Sequence, residues 1–228
     1  MKITESIHMI HEVKGANSYL LLNKEEVAVI DTGMPGNALR IIAYVKTLGR
    51  DPASIKWIVL THSDIDHSGS AAELKRLTNA EVAIHKLDAP RLSGEMKRKE
   101  TKGAMGIIFS MMSPFMRFTP VKADVLLEDS SEIAGLTVIH TPGHTEGSIS
   151  LYQPEEALFV GDALRISGQD LFALPSGSMS VNVGQGIDSV RKISEFRFTF
   201  LLPGHGPPIT SDASTKLREF VTKGFKNE

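Results

Sequence analysis

The sequence predicts an α/β protein. Short apolar runs of strand length alternate with stretches of helical period, as in 27–30, 37–48, 55–60 and 69–78. Several of these runs stop at a Gly- or Pro-containing turn that carries His or Asp: Asp31-Thr-Gly, Pro142-Gly-His144, Gly161-Asp162 and Gly204-His205. In open α/β sheets such strand ends form the edge where sites are built. With 41% hydrophobic residues over 228 positions, the chain has enough apolar surface for a real core, and it reads as one domain, 1–228.

Residues 6–30 read as strands, with Ile7, Met9 and Val13 flanking His8 and His11, and the turn-like Asn23-Lys-Glu separating 19–22 from 27–30. A helix over 37–48 puts Leu39, Ile42 and Val45 on one face and stops at Gly49. Asp51-Pro52 opens a turn into strand 55–60. A helix over 69–78, capped by its serines, ends near Asn79, and strand 81–85 follows. Residues 86–122 read as a helical insertion near the site: Arg91, Lys97, Arg98, Lys99 and Lys102 precede a methionine-rich apolar run, 105–116. That run is either a core helix or a lid, and adaptable methionines would suit an apolar substrate portion. The basic residues before it are a solvated helix face or an attractor for an anionic substrate. Strands follow at 125–128 and 136–140, then a hairpin of 149–152 and 157–160 around Pro154-Glu-Glu. Residues 165–184 read as a Gly/Ser-rich loop, 187–196 as a helix on Ile187, Val190 and Ile193, 198–202 as the last strand and 212–223 as a terminal helix.

Composition excludes several functions. A net charge of −2 gives no sign of nucleic acid as a partner. The absence of cysteine removes disulfides, iron–sulfur clusters and thiol catalysis, and it fits a reducing cytoplasm. The N-terminus lacks an apolar h-region, so no secretory leader is expected, and 104–116, broken by Pro114, is too short to span a membrane.

The chemistry concentrates in 57–70. The apolar run Ile58-Val-Leu60 is followed within a few residues by His62, Asp64, Asp66 and His67, then by Ser68-Gly-Ser70. So many imidazoles and carboxylates on one short loop are costly unless positive charge holds them. Two divalent cations would do so, because His nitrogen and Asp oxygen are ordinary ligands for zinc and its first-row neighbours. His144, Asp162 and His205 sit at further strand ends and can converge on the same kind of edge. Asp31 either orients a ligand through a hydrogen bond or caps its own turn. His8, His11 and His140 read as strand residues, and His85 as a structural or pocket-wall residue. Pro142-Gly143 excludes a helix that would bring His140 and His144 to one face. Glu146 stands either behind a ligand or exposed.

Taken together, these residues resemble the metallo-β-lactamase-fold hydrolases. The motif Thr-His-x-His-x-Asp-His of that family matches 61–67, and its later Gly-His, strand-end Asp and final Gly-His match Gly143-His144, Gly161-Asp162 and Gly204-His205. Asp31-Thr-Gly33 resembles the family's first motif, and the likeness spans about residues 15–210. It implies a four-layer αβ/βα sandwich with metals at one edge of the paired sheets. It also implies that His62, Asp64 and His144 hold one metal, that Asp66, His67 and His205 hold another, and that Asp162 bridges them. Zinc is the first expectation for both, with iron or manganese as alternatives. The implied chemistry is hydrolysis of a small-molecule ester-like substrate, a lactone or thioester, by a metal-bridging hydroxide that Asp66 orients while shuttling a proton to the leaving group.

Asp64 departs from the family, which usually has histidine there. Three carboxylates and a hydroxide make the cluster around two divalent ions formally neutral, whereas histidine at 64 would leave one positive charge. A less positive cluster lowers the pKa of bound water less and leans toward harder ions. Some relatives with oxygen chemistry at two irons carry a carboxylate here. A di-iron oxidoreductase is therefore one alternative, and a non-catalytic ligand-binding homologue is another. A secreted antibiotic lactamase and a nuclease are disfavoured, by the missing leader and by the ordinary charge.

Overall fold

The computed structural model describes residues 1–97, 118–168, 171–174 and 177–225. The methionine-rich run 105–116, with its choice between core helix and lid, lies outside the described residues, as do Arg98, Lys99 and Lys102. The chain divides into two compact units, Met1–Leu127 and Glu128–Glu228.

In the first unit, strands β1 (Ile7–Ile10), β2 (Ser18–Leu22), β3 (Val27–Ile30), β4 (Ile55–Val59), β5 (Glu81–His85) and β6 (Val125–Leu127) form one sheet in that spatial order. β1, β2 and β3 pair antiparallel, and β3 to β6 run parallel. Parallel strands are covered on both faces and read as continuous apolar runs. Val27, Ala28, Val29 and Ile30 are accordingly all buried. Register pairs Ile30 with Val59 and Val59 with Ala83, so β3, β4 and β5 end at one edge. Asp31, His62 and His85 stand at that edge. Helices α1 (Ala38–Thr47) and α3 (Ala71–Thr78) bury Ile41, Val45, Leu74 and their neighbours in the same core as Val29, Ile58 and Val82. Truncating a residue such as Ile58 to Ala would cost about 2–5 kcal/mol.

Two sequence expectations change here. The face α1 buries is Ala38, Ile41 and Val45, one position round from the expected Leu39, Ile42 and Val45; Leu39 is exposed. The helix expected over 69–78 is α3, and a single extra turn, α2 (Ile65–Ser68), precedes it. Ser70 precedes α3 without capping it. Its hydroxyl instead donates to Met34 O (2.6 Å) and accepts from Asn37 N (2.8 Å), tying the turn before α1 to the ligand loop. Asn79 ends α3 in the left-handed region (φ 59°), as its residue type favours. α4 (Ala89–Leu92) follows β5 within the expected insertion.

In the second unit, β7 (Glu132–Ile133), β8 (Leu136–His140), β9 (Ile149–Gln153), β10 (Glu155–Gly161) and a last strand form a sheet. The expected loop 165–184 contains a small hairpin, β11 (Arg165–Ser167) with β12 (Leu171–Ala173), and the start of α5 (Val183–Ser194). The last strand, β13 (Phe198–Pro203), pairs parallel with β10, and α6 (Ala213–Thr222) follows. β8, β9 and β10 pair antiparallel in succession, so β8, β10 and β13 all point the same way. Their C-terminal ends carry His144, Asp162 and His205 to one edge of this sheet. Among the described residues no helix is long and apolar enough to cross a membrane.

Candidate metal centre

In the first unit, Asp31 organises the ligand loop. It adopts a left-handed backbone (φ 55°), a conformation that costs of order 1–3 kcal/mol for most residues and is tolerated best by Asp and Asn. Its buried carboxylate makes up for this by collecting three donors. Oδ1 accepts from Thr61 N (2.8 Å), and Oδ2 accepts from Thr61 Oγ1 (2.7 Å) and pairs with His67 Nδ1 (2.7 Å).

Proton accounting then sets both imidazoles. A carboxylate only accepts, so His67 Nδ1 carries the proton and Nε2 keeps its lone pair. Thr61 has one hydroxyl proton, given to Asp31. Its oxygen lies 3.1 Å from His62 Nδ1 and can only accept there, so His62 is also protonated at Nδ1. Both rings therefore present Nε2 as a ligand nitrogen, fixed by partners on the opposite nitrogen, which is how metal-binding histidines are usually oriented. The two rings lie with centroids 4.0 Å apart.

The loop backbone is equally constrained. Thr32 N and Thr32 Oγ1 both donate to His67 O, Gly69 N donates to Gly33 O, and Ala16 N donates to Asp66 O. A Cβ on Gly69 would lie 2.4 Å from Ile65 O and from Pro35 Cδ, so only glycine fits there. Asp64 precedes α2 without capping it, and its Oδ2 lies 3.7 Å from His62 Nε2.

In the second unit, Asp162 stands between two histidines. Its Oδ2 is 3.6 Å from His144 Nε2, and its Oδ1 is 3.6 Å from His205 Nε2. These spacings, like that of His62 and Asp64, are too long for hydrogen bonds. Two donors each about 2.1 Å from one tetrahedral ion would stand roughly 3.4 Å apart, close to what is seen. The carboxylate thus offers one oxygen beside each histidine, the disposition a bridging ligand needs. The His144 turn is held against the start of α5 by Asn182 N to Gly143 O (2.9 Å) and Val181 N to His144 O (3.2 Å). Gly143 (φ 141°) allows that approach, since a Cβ there would lie 2.4 Å from Gly186 Cα.

Among the described residues, the side chains with the chemistry to hold a metal ion are His62, Asp64, Asp66 and His67 in the first unit and His144, Asp162 and His205 in the second. These are the residues the sequence singled out, and their imidazole and carboxylate donors suit a divalent ion. The other histidines are engaged elsewhere. His140 Nε2 donates to Glu146 O (2.8 Å), and His8 Nδ1 meets Tyr44 OH (3.3 Å). His11 lies in the turn beyond β1 rather than within a strand. His85 Nδ1 accepts from Leu87 N (3.3 Å), so its proton is on Nε2, the reverse of His62 and His67.

Sequence reasoning missed two contributors. Thr61 enters the sequence pattern only as part of a motif, although its hydroxyl sets the His62 tautomer; its place directly before His62 is the available signal. Asp88 is fully buried, and its Oδ2 accepts from Ser63 N (2.7 Å), between His62 and Asp64. Its setting ahead of Ala-Pro is that of a helix cap, which hid the longer-range bond; it makes no capping bond.

The fold and donor set define a class, and comparison with known proteins agrees. The family model of the metallo-beta-lactamase superfamily matches residues 11–205, and the chain belongs to that superfamily. At the level of class it is a metallo-hydrolase. It is 30% identical to the uncharacterized protein YobT of Bacillus subtilis (strain 168) over 219 residues, covering 92% of this chain and 91% of that one. It is also 30% identical to the acyl-coenzyme A thioesterase MBLAC2 of Bos taurus, covering 83% of this chain and 72% of that one. The crystal structure of the metallo-beta-lactamase family protein TTHA1429 from Thermus thermophilus shares the fold, with TM-score 0.74 and 22% identity over 97% of this chain and 80% of that one.

Proposed function

We propose that this protein hydrolyses a small ester-like bond, a lactone or a thioester, at a centre of two divalent ions, zinc first. In this reading His62, Asp64 and His144 hold one ion, Asp66, His67 and His205 hold the other, and Asp162 is shared. The observation that carries it is the fixing of His62 and His67 by Thr61 and Asp31, which leaves both Nε2 atoms as ligand nitrogens. The likeness to a protein named as an acyl-coenzyme A thioesterase supports the thioester arm. When bound, two divalent ions supply a water acidic enough to attack near neutral pH and positive charge for the developing oxyanion. Asp66 orients that water and carries its proton toward the leaving group. Asp31 and Thr61 keep the imidazoles from rotating or exchanging tautomers during turnover.

The test is hydrolysis of a panel of lactones, thioesters, simple esters and β-lactams by wild type, chelator-treated wild type and His67→Ala. Loss of lactone or thioester turnover in the last two is expected. Turnover that survives both unchanged overturns the reading. A second reading, a di-iron oxidoreductase, is favoured by one observation, the carboxylate of Asp64 beside His62. Iron in protein purified without added metal, with oxygen consumption in the presence of an electron donor, would select it over hydrolysis.

A further inference from the structure

We propose that Asp88 is a positioning residue for the metal ligands: from the turn after β5, its carboxylate grips the Ser63 amide and sets the spacing between His62 and Asp64. This rests on the reading that those two side chains hold an ion. Asp88 is 0% exposed, and burying a carboxylate is costly unless its oxygens are used. Oδ2 accepts from Ser63 N at 2.7 Å, and Oδ1 faces Arg91 Nη1 at 3.7 Å. The ordinary local use, capping α4, is not made.

The residue is itself well anchored. Its amide donates to His85 O (2.9 Å), and its carbonyl accepts from Arg91 N and Leu92 N (both 3.1 Å). β5 in turn pairs in parallel with β4, the strand that leads into the ligand loop. Asp88 therefore reaches the loop from a rigid neighbour. His62 is bracketed by two amides, Thr61 N held by Asp31 at 2.8 Å and Ser63 N held by Asp88 at 2.7 Å. Ser63 is the one residue between His62 and Asp64, so rotation of its preceding peptide would displace both. Ligand constellations work only when held to within about 0.5 Å, by groups that are themselves fixed.

The experiment is zinc titration of metal-stripped wild type, Asp88→Ala and Asp88→Asn against a chromophoric chelator, with thermal melts in parallel. Wild type should bind two ions. Asp88→Ala should lose about 10–100-fold in affinity for one of them, with the other changed by no more than about threefold. Asp88→Asn, which keeps an oxygen for the Ser63 amide, should lose less. Wild type that binds no zinc removes the metal-centre reading and this inference with it. Wild type that binds two ions, with Asp88→Ala matching it or losing both equally, removes the role of Asp88 alone. If Asp88→Ala gives no cooperative melt, hydrogen exchange at the Ser63 amide of metal-free protein decides. Protection about tenfold or more above that in Asp88→Asn is expected, because a charged acceptor holds the amide more tightly. Equal protection would overturn the proposal.

Discussion

Replacing Asp31 with Asn changes few atoms, yet it should weaken both the fold and the metal site. Asn keeps an acceptor for Thr61 N, and it tolerates the left-handed backbone at φ 55°. The backbone is therefore not at issue. The other end of the side chain becomes an amino group facing Thr61 Oγ1 and His67 Nδ1, each 2.7 Å from the present Oδ2. Two charge-assisted hydrogen bonds are lost, each with a net contribution of about 1.5–3 kcal/mol. Taking the lower end because neighbours relax, the loss is about 3 kcal/mol. For a chain of this length that lowers Tm by roughly 6–12 °C. His67 can relieve the donor–donor clash only by moving its proton to Nε2, which spends the nitrogen offered to the ion. Metal affinity should then fall by about 10–100-fold. Thermal melts of the metal-free protein, zinc titration and nitrogen NMR of the His67 ring read the three effects separately. An Asn variant that melts within about 2 °C of wild type, binds zinc equally and keeps its proton on Nδ1 would refute the reasoning.

Other perturbations follow from the same geometry. Gly143→Ala would place a Cβ 2.4 Å from Gly186 Cα on a backbone at φ 141°, and should cost about 1–3 kcal/mol; an unchanged melting curve would contradict the close approach. Asp64→His exchanges a hard donor for an imidazole and should raise the zinc-to-manganese ratio recovered after competitive loading, whereas an unaltered ratio would mean that Asp64 is not a ligand. Burial first, then the N-terminal amine and Lys2, hold His8 below the usual histidine range, against a weaker opposing pull from Glu5. The folded state thus binds this proton less readily than the unfolded chain. The stability His8 contributes is present above about pH 6.5 and lost as pH falls through the lower folded value. Tm measured from pH 7 to 5 should fall less steeply in His8→Gln than in wild type, and parallel profiles would count against it.

The strand ends were legible because each combines an apolar run with a glycine or proline and a ligand-type residue. That pattern singles out His62, His144, Asp162 and His205, which follow β4, β8, β10 and β13 in the structure. The details decided by distant partners were not legible. Leu39 and Ala38 are equally plausible inward residues on a helical wheel, and the sheet beneath α1 selects Ala38, Ile41 and Val45. Ser70 has the residue type and place of a cap, but its hydroxyl is taken by the Met34–Asn37 turn, far away in the chain. The strands β11 and β12, three residues each among Gly and Ser, are too short for alternation to stand out. Asp88 and Thr61 act through single hydrogen bonds that leave no periodic trace.

The central claim is that this chain holds a pair of divalent ions, and the most direct measurement is metal stoichiometry per chain by mass spectrometry. Protein purified without chelator, then exchanged into metal-free buffer, should retain two equivalents, and variants at His62, His67, His144 and His205 should each retain fewer. Wild-type protein that retains no metal, or four variants that all retain two equivalents, would contradict it.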